Sequence, residues 1–94
     1  MLIIAHHNIS DPESFWSAAK EITQNLPANL KLHGVYPAKD SKTGTCLWEA
    51  KTVQEVQQFL DKNAGKYAKN FTYEVDMEKS MGLPKISMAE QQLN

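Results

Sequence analysis

Three histidines and one cysteine are the residues of this 94-residue chain best suited to chemistry. Neutral imidazole binds divalent transition metals and exchanges protons near neutral pH, which makes His6, His7 and His33 the first candidates. His6 and His7 are neighbours in a short apolar run, and if that run is a strand they point to opposite faces. Cys46 opens a second apolar run that would pass antiparallel to the first, so a His7–Cys46 pairing is geometrically allowed. Each residue also has a plainer reading. A strand histidine is commonly a satisfied core or surface group, and a lone strand cysteine is more often a small buried hydrophobe than a nucleophile. Glu49 is the one charge in the run 45–50, where a carboxylate needs a partner and would serve as general base, metal ligand or half of an ion pair. Trp16, Tyr36, Trp48 and Tyr73 have the flat apolar faces that line pockets for planar organic ligands, although aromatics at these spacings more often build a core.

The elements that must position these groups follow from periodicity. Leu2 to His7 reads as a strand buried on both faces, the first and central one. Ser10, Asp11 and Pro12 start a helix, because Ser or Asp caps free N–H groups and Pro suits the first helical position. Phe15, Ala18, Ala19, Ile22 and Leu26 share one face of it, and Pro27 stops it. Leu30 to Ala38 alternates as a second strand, with Leu32 and Gly34 on one side and His33 and Val35 on the other. Asp40 to Gly44 is a hairpin loop and Thr45 to Ala50 a third strand. Thr52 with Glu55 has the capping-box form, and Val53, Val56, Phe59, Leu60 and Ala64 make the inner face of a second helix that ends at Gly65. Phe71, Tyr73 and Val75 alternate with Thr72, Glu74 and Asp76 in a fourth strand.

This order predicts an α+β fold of the ferredoxin-like βαββαβ kind: a four-stranded antiparallel sheet, order 4-1-3-2, with two helices on one face. The domain spans 1–79, and 80–94 reads as a tail or an arm that packs on a partner subunit. The helix-free face, with Val35, the Trp48 or Leu47 side of the third strand and residues of the first, is too apolar for water, so the face of a second copy should cover it. His33 and a first-strand histidine on one face would be separated by roughly 9 to 10 Å, two strand spacings, leaving room for a ligand between them.

Composition excludes several classes. Ten Lys plus Arg against eleven Asp plus Glu give a formal charge of -1 with no basic run, which is no footprint for nucleic acid or an acidic membrane. Leu2 to Ala5 is too short for a signal core or a membrane span. A single cysteine rules out an intrachain disulfide, and the expected location is cytoplasmic. No phosphate-binding Gly-rich loop, nucleophile elbow or HExxH motif occurs.

Cys46-Leu47-Trp48-Glu49-Ala50, followed by Val53, Glu55, Val56, Ala64-Gly65 and Glu74-Val75, resembles the second half of small proteins of the dimeric α+β barrel superfamily. Among these the chain is most similar to small nickel-binding ferredoxin-like proteins, whose first strand ends in a His-His pair that His6-His7 matches. That group carries a further histidine on the second helix, where this chain has Phe59 and Leu60. The resemblance implies a homodimeric binding protein holding a divalent metal (nickel or zinc) or a small organic ligand. Its alternative is a cofactor-free monooxygenase or isomerase. His6, His7 and Cys46 are the metal candidates, and Asn8, His33, Tyr36, Trp48 and Glu49 the ligand-binding ones. Three or four donors are needed for a tight site. The metal reading therefore predicts submicromolar nickel or zinc binding by calorimetry that is lost in the His6→Ala, His7→Ala double variant.

Overall fold

The computed structural model describes residues 1–83; the expected tail or dimer arm from residue 84 onward lies outside the described residues. The chain runs β1 (Leu2–Ile9), α1 (Pro12–Thr23), β2 (Lys31–Pro37), β3 (Thr43–Glu49), α2 (Val53–Ala64) and β4 (Ala68–Glu74). All neighbouring strands are antiparallel in one sheet of order β2-β3-β1-β4, the expected 4-1-3-2 order read from its other edge. This is the ferredoxin-like α+β fold. Among the described residues no helix is long and apolar enough to cross a membrane.

Both helices start where the capping residues place them. Asp11 Oδ1 accepts from the Ser14 N–H, with Pro12 at the first helical position. Thr52 Oγ1 accepts from the Glu55 N–H at 3.2 Å while Glu55 Oε2 accepts from the Thr52 N–H at 3.0 Å, so two orphan donors are satisfied reciprocally. α1 ends at Thr23, three residues before Leu26, so Leu26 packs against the core from the connection rather than from the helix. Gly65 caps α2 in ordinary right-handed geometry and its N–H bonds Asp61 O, so the left-handed freedom of glycine is not used there.

Ile3, Ala5, Cys46 and Trp48 pack with Val56 and Leu60 of α2 in the main core cluster; Phe15 of α1 packs with Ala64 and Ala68 in a smaller one. α2 contributes three fully buried side chains, Val56, Leu60 and Ala64, and α1 only Phe15. Trp16 nevertheless holds α1 to the sheet end: its indole donates to Ser41 O at 2.9 Å, and its ring lies where a Cβ on Gly44 would come within 2.8 Å.

Strict alternation fails in β2. Leu32 pairs with Trp48 and Gly34 with Leu47, so His33 is the extra residue of a bulge. Opposed residues share a face, and the slip puts Leu32 and Val35 together on the helix side and Gly34 and Tyr36 on the other. Gly34 suits this position, because a Cβ there would overlap the Tyr36 hydroxyl. Val35, expected to leave the free face apolar, instead turns inward, and of the two alternatives on the third strand it is Leu47 that lies on the outer side while Trp48 joins the core. β4 also differs from its reading: the aromatic set Phe71 and Tyr73 faces out, 52% and 57% exposed, while the set Ala68, Asn70 and Thr72 faces the helices.

Trp48 is 2% exposed, and its ring meets Phe59 edge-on at 6.0 Å. Emptying such a site costs about 3–5 kcal/mol, offset in part by the about 1–3 kcal/mol that an unpartnered buried N–H costs in the native protein. Urea denaturation should place Trp48→Ala toward the low end of that loss and Trp48→Phe, which keeps most of the buried area, within about 1.5 kcal/mol of the native chain. Equal losses in the two variants would show that the indole N–H is bonded in the native protein and outweighs the packing, contrary to its unpartnered state.

Candidate functional site

A histidine with no exposed surface is the centre of the molecule's polar chemistry. His7 is 0% exposed and sits between the two apolar clusters, its ring 5.1 Å from that of Phe15. β1 is flanked by β3 and β4, and on β4 His7 lies directly opposite Asn70. On β3 it lies opposite Gly44, one diagonal step from Cys46. Glycine at that opposite position leaves the space above the imidazole to neighbouring side chains.

The His7 ring uses both nitrogens. Nδ1 is 2.7 Å from Asn70 Oδ1 and Nε2 is 3.2 Å from Cys46 Sγ. Asn70 Nδ2 in turn donates to Asp61 Oδ1 on α2, and Gln57 Nε2 donates to both Asp61 oxygens and to the Asn70 backbone carbonyl. Thr72 Oγ1 closes the chain by donating to Gln57 Oε1. Burial disfavours the imidazolium and lowers the His7 pKa below its usual 6.5, with the Asn70 bond opposing the shift and the nearby His6 charge assisting it. Burial likewise pushes the Cys46 thiol up to about 12. The pair is therefore a neutral imidazole and a neutral thiol at pH 7, not the thiolate–imidazolium pair of an activated nucleophile.

Both groups border a cavity of about 30 Å³ between α1 and the sheet, walled mostly by apolar side chains including Phe15, Trp16, Leu32 and Val35. That is room for one or two waters or a small functional group. Trp48 lines the same cavity, and its Nε1–H is buried with no hydrogen-bond partner among the described residues. Among the described residues no Asp, Glu, Lys or Arg borders it.

The remaining candidates lie elsewhere. His6, on the opposite face of β1, pairs its Nδ1 with Thr45 Oγ1 at 3.3 Å. His33 Nε2 and Glu49 Oε1 lie 2.9 Å apart, both largely buried, on the helix-free side. Tyr36 is 61% exposed on that side and borders an open groove of about 580 Å³ with Ile4, Leu47, Tyr73 and the segment from Val75 to Leu83. Asn8 is exposed at the end of β1, on the rim of a separate surface hollow. The structure thus brings His7, Cys46 and Trp48 together and leaves Asn8, His33, Tyr36 and Glu49 outside their cavity. Among the described residues no group of three or more His, Cys, Asp or Glu side chains is arranged to hold a metal ion. Asn70, Asp61 and Gln57 were missed by the sequence reading. The available signal was an asparagine, a poor strand former, on the inner alternation set of the fourth strand.

No family model matches this chain, and no match to it is found among curated proteins or solved structures.

The shifts set a pH profile. The unfolded chain takes up a proton on His7 near 6.5, whereas the folded chain does so only at lower pH, so stability is complete above about 6.5 and falls as pH drops below it. For Cys46 the folded chain keeps its proton from the ordinary 9.0 up to about 12, so stability falls as pH rises through that window. Urea midpoints measured from pH 4 to 10.5 should show Cys46→Ala losing less stability than the native chain above pH about 9, and His7→Gln losing less below about 6.5. Parallel profiles for native and variant chains would remove these groups as the source.

Proposed function

We propose that the protein is a cytoplasmic, homodimeric binding protein that takes a small neutral organic molecule between its helices and its sheet, at the His7–Cys46 pair. One observation carries this reading: a small, almost wholly apolar cavity that the buried, hydrogen-bonded His7–Cys46 pair borders, with no charged side chain among its described lining residues. Ligand sites combine apolar walls with a few oriented polar groups in this way, and an uncharged wall disfavours an ionic ligand. A metal has less support, since His7 and Cys46 supply two donors on the helix side while His6 faces away.

Homodimerisation is supported by Tyr36, Phe71 and Tyr73, three aromatic rings each more than half exposed on the helix-free face. A second copy applied there would remove from water the largest apolar side chains that the sheet presents, as the likeness to dimeric α+β barrel proteins implies. The alternative, a cofactor-free monooxygenase or isomerase of that kind, is favoured by one feature of the same site: a neutral histidine in an apolar cavity is a base available at neutral pH.

Two measurements test the proposal. Neutral aromatic fragments should raise the melting temperature of the native chain but not of Ala19→Leu, which fills the cavity from α1, and benzoate should raise neither. Equal shifts in both proteins would place binding outside the cavity. Light scattering at micromolar concentration should give twice the chain mass, reduced to a single chain in Phe71→Glu; a native monomer that stays folded on dilution would sink the dimer.

A further inference from the structure

Strand register lays out the helix-free face in rows. Thr45 lies opposite Tyr36 on one side and His6 on the other, and His6 lies opposite Phe71, so Tyr36, Thr45, His6 and Phe71 cross the whole sheet in one row. The next row is Gly34, Leu47, Ile4 and Tyr73. Neither row holds an Asp, Glu, Lys or Arg. Protein–protein interfaces are poor in charge and rich in aromatic rings at their centre and carry their charges at the rim. The same division holds here, with Lys69 one row beyond on one side and Glu49 and Lys31 one row beyond on the other.

The relief of the face suits a second copy of itself. The exposed rings of Tyr36, Phe71 and Tyr73 stand on the edge strands, and the smaller side chains Ile4, Thr45 and Leu47 lie between them, in an open groove of about 580 Å³ that Tyr36 and Tyr73 also line. An isologous pair needs ridge and groove on one surface, since each copy must offer both. Pairing of the two rows opposes no like charges as long as His6 is neutral.

His6 is the one side chain of these rows whose charge changes near neutral pH. It is partly exposed, and its Nδ1 lies 3.3 Å from Thr45 Oγ1. No carboxylate faces it. Its neighbours on this face are Thr43, Thr45 and Leu47 on β3, Lys69, Phe71 and Tyr73 on β4, and Ile4 and Asn8 on its own strand. Lys69, the charged residue nearest by register, has the same sign as an imidazolium. Glu49 is two rows away and lies 2.9 Å from His33, and Asp76 and Lys79, of opposite sign, border the groove. A second copy laid on the face would therefore take a charged His6 out of water with no anion beside it, a cost that His33 escapes through Glu49.

We infer that two copies pair face to face through these two rows, and that protonation of His6 separates them, so that the dimer is a form of neutral pH. The inference rests on the homodimer reading of this face and adds its control by pH. His7 is on the opposite face of β1, inside the core, where its protonation acts on folding and not on pairing.

Sedimentation velocity of the intact chain at pH 7.5 and 6.0, with circular dichroism recorded at both, tests this. A proton that must leave each copy on pairing weakens the dimer by up to tenfold per pH unit, so the dissociation constant should rise about tenfold or more at pH 6.0 with the dichroism unchanged. His6→Gln and His6→Leu, which cannot take up the charge, should hold one constant at both pH values, and His33→Gln should follow the native chain. A native constant that does not move overturns the His6 switch and leaves the dimer standing. So does a shift that persists in both His6 variants, that disappears in His33→Gln, or that accompanies a loss of dichroism. Pairing lost at pH 7.5 in both His6 variants shows that the packing of the ring and not its charge is required, and overturns the switch too. A native chain that is monomeric at pH 7.5 overturns the dimer reading with it and leaves the face to a different partner.

Discussion

Burying an imidazole completely is tolerable only if both of its nitrogens are satisfied, and the interior of this protein is arranged around that requirement at His7. The partners come from the two strands beside β1, Cys46 on β3 and Asn70 on β4, so the hydrogen bonds are made only when both strand pairings are in register. A one-residue slip of either pairing would turn one partner to the other face and leave a ring nitrogen bare. The network thus constrains the sheet as much as the sheet builds the network. It also ties α2 to β4 through Asp61 and Gln57.

The energetics of the site come from its dryness. The same desolvation that keeps His7 neutral keeps Cys46 protonated, so the pair stores no charge and the cavity wall stays apolar apart from oriented dipoles. Asn70 partly offsets the penalty on His7 by accepting from its ring, and does so without introducing a charge next to the cavity; the carboxylate is one residue further out, at the surface. The two helices divide the remaining work unequally. α2 seals the core with three buried side chains, while α1 leans on Phe15 and on the Trp16 contacts at the hairpin.

The helix-free face has a different character. Its two central strands carry Ile4, Leu47 and the His6–Thr45 pair, the His33–Glu49 pair lies toward the end of β3 against the edge strand β2, and the two edge strands carry the exposed rings of Tyr36, Phe71 and Tyr73. The bulge at His33 produces this division, because it sends Val35 inward to the core and brings Tyr36 out across Gly34.

The order of elements, both helix starts and the strand order were legible in the sequence, because capping residues, apolar periodicity and the handedness of crossovers are local or nearly local properties. The opposed facing of His6 and His7 was legible for the same reason, since neighbours in a strand have no alternative. The permitted contact of His7 with Cys46 followed from antiparallel pairing alone. Tertiary structure decided the rest. Alternation cannot reveal a bulge, so the facing of Val35 was read wrongly, and apolar alternation in β4 drew the eye to Phe71 and Tyr73 and away from Asn70. The partner of His7 is 63 residues away in the chain, and only the pairing of β1 with β4 brings an asparagine opposite it. Which nitrogen carries the proton is decided still further off, by a carboxylate on another helix, because hydrogen-bond direction passes from group to group in space and leaves no period in sequence.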